Sequence, residues 1–89
     1  CVEVPCMIDR NGVNPCFVGD LPEQCAAVNR TNINVQSLAV EGMRRREREY
    51  IYMAAMMDPH TAAELTMDEI RNMCDDLFYA HRDWLPEYR

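Results

Sequence analysis

The stretch from Asp20 to Met43 constrains the fold most, because it fits one long helix and leaves little chain to arrange around it. Asp20 is placed to accept backbone donors as an N-cap, Pro22 suits a first turn, and Glu23, three residues after the cap, completes a capping box. Cys25, Val28, Val35, Leu38, Ala39 and Met43 recur at helical steps and give the helix, expected over about residues 21–41, a stripe to bury. Its middle is the polar run Asn29-Arg30-Thr31-Asn32-Ile33-Asn34, made of poor helix formers. A surface helix could reach the same solubility with better formers such as Glu and Lys. The run therefore marks a face that meets something polar, with Asn29, Arg30 and Asn32 as candidates for contact with a substrate or a subunit. The plainer reading is a solvated helix surface.

Eighty-nine residues form at most one small domain, and 48% apolar content excludes a disordered chain. Fifteen acids stand against nine arginines and no lysine, for a net charge of -6, which is not the basic footprint of a nucleic-acid or membrane-surface binder. The run Arg44-Arg45-Arg46-Glu47-Arg48-Glu49 interleaves both signs and reads as a solvated helix face. The cysteines (Cys1, Cys6, Cys16, Cys25 and Cys74) are odd in number, and no pair has the C-x-x-C spacing of a zinc or redox motif. Cys6, Cys25 and Cys74 fall on apolar faces, where cysteine acts as a small hydrophobe, so a reducing cytoplasm is the expected setting. Asn29-Arg30-Thr31 matches a glycosylation sequon and, without a secretory context, reads as chance. No apolar run approaches a membrane span.

Residues 2–18 have the makeup of a hairpin. Val2, Val4 and Cys6 alternate onto one face, Asn11-Gly12 gives a turn signal, and Val13–Val18 returns. Pro5 and Pro15 each remove a ladder donor, which makes both strands edges or bulged ones. A lone hairpin is marginal in water and needs something to lie on. Gly42 invites a bend between the first helix and a second over about residues 44–57, whose stripe is Tyr50, Met53, Ala54 and Met57. Asp58-Pro59 ends that helix and caps a short one over about 59–65. Thr66 and Glu69 form a second capping box, opening a last helix over about 67–82 with the stripe Ile70, Met73, Cys74, Leu77, Phe78 and His81. Trp84-Leu85-Pro86 is expected to pack back on the helices.

The fold class is thus mainly α with an N-terminal β-hairpin, an α+β arrangement. His81 sits at a helix C-terminus, where a proton on it would suit the dipole, and lacks an evident partner that would make it a base. The sequence contains no glycine-rich phosphate loop, nucleophile elbow or H-E-x-x-H metal motif. It opens at Cys1 inside a strand-like stretch with no initiator methionine, so it is expected to be a piece of a longer protein.

Several stretches together resemble the C-terminal end of the glycosidases of glycoside hydrolase family 4, most closely their α-galactosidase branch. They are Val2-Glu3-Val4-Pro5-Cys6, Asn11-Gly12 with Pro15, Val18-Gly19-Asp20-Leu21-Pro22 and Thr31 to Gln36. Further on come Ala54 to Ala63, Asp68-Glu69-Ile70 and Asp83-Trp84-Leu85-Pro86, so the resemblance runs the length of the chain. The arginine-rich stretch Arg44 to Arg48 departs from the family pattern. The resemblance implies a fragment of the C-terminal substrate domain of a larger α/β enzyme that uses NAD and Mn2+ to hydrolyse α-galactosides, outside two-carboxylate chemistry. In the family, the sugar is oxidised at C3, a tyrosine takes the C2 proton, the aglycone is eliminated, water adds and the hydride returns. The dinucleotide-binding half, the metal-binding cysteine and histidine and the catalytic tyrosine lie upstream of Val2 in that pattern. No catalytic, cofactor-binding or metal residue is therefore expected in these 89 residues, and neither NAD nor Mn2+ is expected to bind them alone. The resemblance also implies a homo-oligomer. The alternatives are a free-standing helical interaction or oligomerisation module, and a piece of a family 4 α-glucosidase or α-galacturonidase.

Overall fold

Helix α1, Glu23–Arg45, is the longest element of the computed structural model, which describes residues 3–89. At 23 residues it runs about 34 Å. It follows a hairpin of β1 (Cys6–Asp9) and β2 (Gly12–Pro15), and is followed by α2 (Arg48–Met57), α3 (Pro59–Glu64) and α4 (Met67–Ala80). The fold is mainly α with an N-terminal antiparallel hairpin, as the sequence indicates. The expected strand contributions of Cys1 and Val2 lie outside the described residues.

The hairpin pairs Cys6 with Pro15 and Asp9 with Gly12, so Arg10 and Asn11 make the two-residue connection. Gly12 follows the turn at φ +106°, a conformation that strongly favours glycine. Asp9 holds the turn by accepting from the Asn11 N–H at 2.7 Å. Both strands are shorter than expected and exposed at every position. The hairpin thus keeps both faces open to solvent, including Cys6.

Helix α1 does not start with a capping box. The Pro22 carbonyl accepts from the N–H groups of both Cys25 and Ala26 at 2.9 Å, which makes Pro22 the N-cap, and its side chain cannot cap. Asp20 stands two residues too early. Nor does the first helix end at Gly42. It continues to Arg45 and ends at Arg46, a left-handed residue (φ 56°, ψ 46°), with the Glu47 N–H reaching back to the Gly42 carbonyl at 3.2 Å. Gly42 is there for proximity. A Cβ on it would lie 2.7 Å from Ile51 Cδ1 and 3.1 Å from Tyr50 Cβ. The missing side chain lets α2 close tightly on α1.

The small core lies between α2 and α4, where Tyr52, Ile70 and Cys74 are buried with Ala55, Met56, Leu65, Met73 and Phe78 against them. The expected α2 stripe holds only in part: Ala54 is buried and Tyr50 half-buried, whereas Met53 and Met57 are 40% and 48% exposed and Tyr52, outside the stripe, is buried against α4. On α1, Val35, Leu38 and Ala39 are half-buried, but Cys25 and Val28 remain exposed because α2 covers only the C-terminal half of the longer helix, and Met43, within that half, is still 56% exposed. The capping box of α4 is present, with the Thr66 N–H donating to Glu69 Oε2 at 2.8 Å and the Glu69 N–H to Thr66 Oγ1 at 3.4 Å. Asp58 caps α3 by accepting from the Thr61 N–H at 2.8 Å. Helix α4 stops at Ala80, so His81 is an exposed C-cap residue rather than part of the buried stripe. Trp84 is 88% exposed and does not pack back. The tail docks instead through Tyr88, whose ring lies 5.2 Å from that of Phe78, and through Arg89, whose N–H donates to the Arg46 carbonyl at 2.8 Å.

With a radius of gyration of 17.4 Å against roughly 12 Å for a compact chain of this length, the structure is elongated. Among the described residues sixteen large hydrophobic side chains stand exposed, Phe17 at 92%, whereas only Tyr52 and Ile70 of comparable size are buried, so the chain leaves much apolar surface uncovered.

Candidate functional site

The polar run lies on the half of α1 that no other helix covers. Asn29, Arg30 and Asn32 are all exposed, and among the described residues none makes a side-chain hydrogen bond or ion pair. Thr31, a poor helix former, settles its hydroxyl on the Val28 carbonyl at 2.7 Å, one turn back. Asn29 and Arg30, one turn from Ile33 and Ala26 respectively, share with them and with Leu21 and Glu23 the wall of an open depression of about 410 Å³. Asn32 is not part of that wall. The depression joins an amide, a guanidinium and a carboxylate to an apolar floor, a donor set suited to hydroxyl-rich or polar peptide surfaces. It is open to solvent, so binding there needs a second surface to close it.

Asn34 is separate from this group. It lies half-buried beside Ser37 and Leu38 in a groove that Met53, Met56 and Met57 of α2 complete. The run thus splits between two faces of one helix, as adjacent helical positions must.

The most ordered polar cluster is elsewhere. Tyr52, buried on α2, donates its hydroxyl to Asp75 of α4, and Arg48 approaches the same carboxylate at 3.9 Å. Burial pushes the Tyr52 hydroxyl above its ordinary pKa, and the Asp75 carboxylate adds to the shift. Arg71 crosses from α4 to bond Glu49 at 2.6 Å and lies 4.5 Å over the Tyr52 ring. Burial likewise raises the Cys74 thiol, which makes it a packing residue rather than a nucleophile. The i,i+3 pair Glu49 and Tyr52 and the i,i+4 pair Arg71 and Asp75 were visible as same-face pairs in the sequence. Nothing in either helix identifies the other as its partner.

At the end of α1, Glu41 takes Arg44 and Arg45 together, each at 2.6 Å, and the two guanidinium groups lower its carboxyl to about 2. The arginine-rich stretch is thus a helix terminus and a linker rather than one solvated face. Among the described residues no three His, Cys, Asp or Glu side chains converge to hold a metal ion, and no helix is long and apolar enough to cross a membrane.

Comparison with known proteins places this arrangement. The profile of the family 4 glycosyl hydrolase C-terminal domain matches residues 1–61. The chain is 60% identical over 88 residues to an α-galactosidase of Bacillus subtilis, covering 99% of this chain and 20% of that protein. It is 33% identical over 87 residues to an α-galactosidase of Rhizobium meliloti, covering 98% and 18%. A maltose-6'-phosphate glucosidase of Bacillus subtilis is further away, at 27% over 86 residues, with 97% and 18% covered. The chain spans about a fifth of the length of these curated relatives.

Proposed function

The chain belongs to family 4 of the glycosyl hydrolases through their C-terminal domain, and from this we propose that it is the C-terminal part of an enzyme that hydrolyses α-galactosides. The observation that carries the sugar assignment is the 60% identity, over nearly the whole chain, to a protein named for that activity, against 27% to a glucosidase relative. The enzyme is cytoplasmic and uses NAD and Mn2+ in the family's oxidation, elimination, addition and reduction route. No step of that route is assigned to the described residues, and the chain alone is expected to be inactive because the resemblance puts the family's catalytic, metal-binding and dinucleotide-binding residues upstream of it.

Its role in the whole enzyme is architectural and polar. The exposed apolar side chains of the hairpin and of α1 pack against the remainder of the substrate domain or a second subunit in a homo-oligomer. Asn29, Arg30 and Asn32 face substrate or subunit from the uncovered half of α1. The test is to graft these 89 residues in place of the matching segment of the Bacillus subtilis α-galactosidase. A chimera that folds and cleaves p-nitrophenyl α-galactoside in the presence of NAD and Mn2+ is the expected result. A folded chimera that cleaves only an α-glucoside, or activity from the 89 residues alone, would overturn the reading.

A further inference from the structure

Residues 88 and 89 return to the corner between α1 and α2 and bond to it through the backbone on both sides. The Arg89 N–H donates to the Arg46 carbonyl at 2.8 Å, and the Arg89 carbonyl accepts from the Arg48 N–H at 2.9 Å. Both partners need such a bond. Arg46 stands at φ 56°, ψ 46°, a left-handed conformation that is costly for a residue with a Cβ. Arg48 is the first residue of α2, and its N–H is one of the donors that a helix start leaves open. Glu47, the N-cap, makes no side-chain capping bond. The Arg89 carbonyl thus does for α2 what the side chains of Asp58 and Thr66 do for α3 and α4.

Side chains hold the tail at the same point. The Tyr88 ring lies 5.2 Å from that of Phe78, and the Arg48 guanidinium lies 5.0 Å over the Phe78 ring. Arg89 approaches Glu47 at 3.7 Å, an exposed pair that adds little. From His81 to Arg89 only Tyr88 is half-buried, and the other residues are exposed. The segment is therefore anchored at its end alone, on contacts separate from the Tyr52, Ile70 and Cys74 core.

We propose that Tyr88-Arg89 is a releasable strap. Docked, it caps α2, holds the left-handed turn at Arg46 and so keeps Ile51 of α2 against Gly42 of α1. Lifted, it frees the first turn of α2 while the core between α2 and α4 persists, a local opening rather than global unfolding. The strap thereby couples the tail to the closest approach of the two helices.

The test compares amide hydrogen exchange in the full 89-residue chain, in a chain ending at Glu87 and in Tyr88→Ala. The Ile51 and Tyr52 amides close the first turn of α2. In the shortened chain they should exchange about fivefold faster relative to the Cys74 amide of α4, the factor expected for a lost helix cap. Tyr88→Ala, which leaves the Arg89 backbone in place, should give a smaller change at the same amides. The Ile51 δ1 methyl resonance should shift in both. Glu47→Ser supplies a side-chain cap to the Glu49 or Tyr50 N–H and should return most of the protection lost on shortening. Unchanged exchange at Ile51 and Tyr52, or an equal loss at Cys74, would overturn the proposal. So would a shortened chain that unfolds as a whole and is not restored by Glu47→Ser, because the tail would then be part of the core and not a strap.

Discussion

Replacing Gly42 by alanine separates two explanations of that glycine by the sign of the effect. Were it an ordinary glycine in a helix, Gly42→Ala would stabilise the chain by about 1 kcal/mol, the propensity difference between the two residues. The structure points the other way. The new Cβ would lie 2.7 Å from Ile51 Cδ1, 3.1 Å from Ile51 Cγ1 and 3.1 Å from Tyr50 Cβ. The Cδ1 contact is the tighter and Ile51 is half-buried between the helices, while Tyr50 Cβ is fixed by the α2 backbone, so the Ile51 side chain must leave its rotamer or the helices must separate slightly. Overpacking of this kind costs about 1–3 kcal/mol, which offsets the propensity gain and leaves a net loss of roughly 1 kcal/mol. Ile51→Val removes the Cδ1 atom and alone costs about 0.5–1.5 kcal/mol. In that background Gly42→Ala should be tolerated better, with a coupling of about 1 kcal/mol between the two sites. The assay is urea unfolding of the four chains of the cycle, followed by circular dichroism at constant m-value. A single Gly42→Ala that raises the midpoint, or a coupling near zero, refutes the close-approach account.

Phe78→Ala should destabilise by about 3 kcal/mol, the low end for a ring in a core because Phe78 is only half-buried; a melting point within a degree or two of the parent would contradict its place between Tyr52 and Tyr88. Thr66→Ala should cost about 1 kcal/mol through loss of the α4 cap, measured by thermal melting at neutral pH, and an unchanged melting point would count against the cap. Glu69→Ala should behave differently with pH. The Thr66 N–H and hydroxyl lower the Glu69 carboxyl, so the stabilisation is present above the ordinary glutamate pKa and lost as the pH falls through the lowered folded value. The gap between parent and variant should therefore close in acid, and a gap that widens would reverse the sign of the argument. Light scattering on the 89-residue chain should give a dimer or larger, given Phe17 at 92% and Val28 at 66% exposure, and a clean monomer at high concentration would remove that reading.

Several features that depend on a few adjacent residues were legible in the sequence, although the equally local Asp20–Glu23 box does not form. The Thr66–Glu69 box, the Asp58-Pro59 cap, the hairpin turn near Gly12 and the Ile70–Cys74 stripe are each set by groups within one helical or hairpin turn of one another. The family resemblance was legible for a similar reason, since its motifs are short and lie in order along the chain. Tertiary structure decided what depends on distance in sequence. Gly42 reads alone as a helix weakener, and only the approach of Ile51 turns it into a contact point that carries α1 on to Arg45. The α2 stripe holds for Tyr50 and Ala54 and misses Tyr52, because α2 meets α1 on one side and α4 on the other, and periodicity names a face without naming its neighbour. The same limit applies to Asn29, Arg30 and Asn32: their polarity could be read directly, but their exposure follows from α1 outrunning the helices that cover it. Periodicity fixes which residues can share a surface, whereas the crossing of helices and the reach of each one determine which surface is buried.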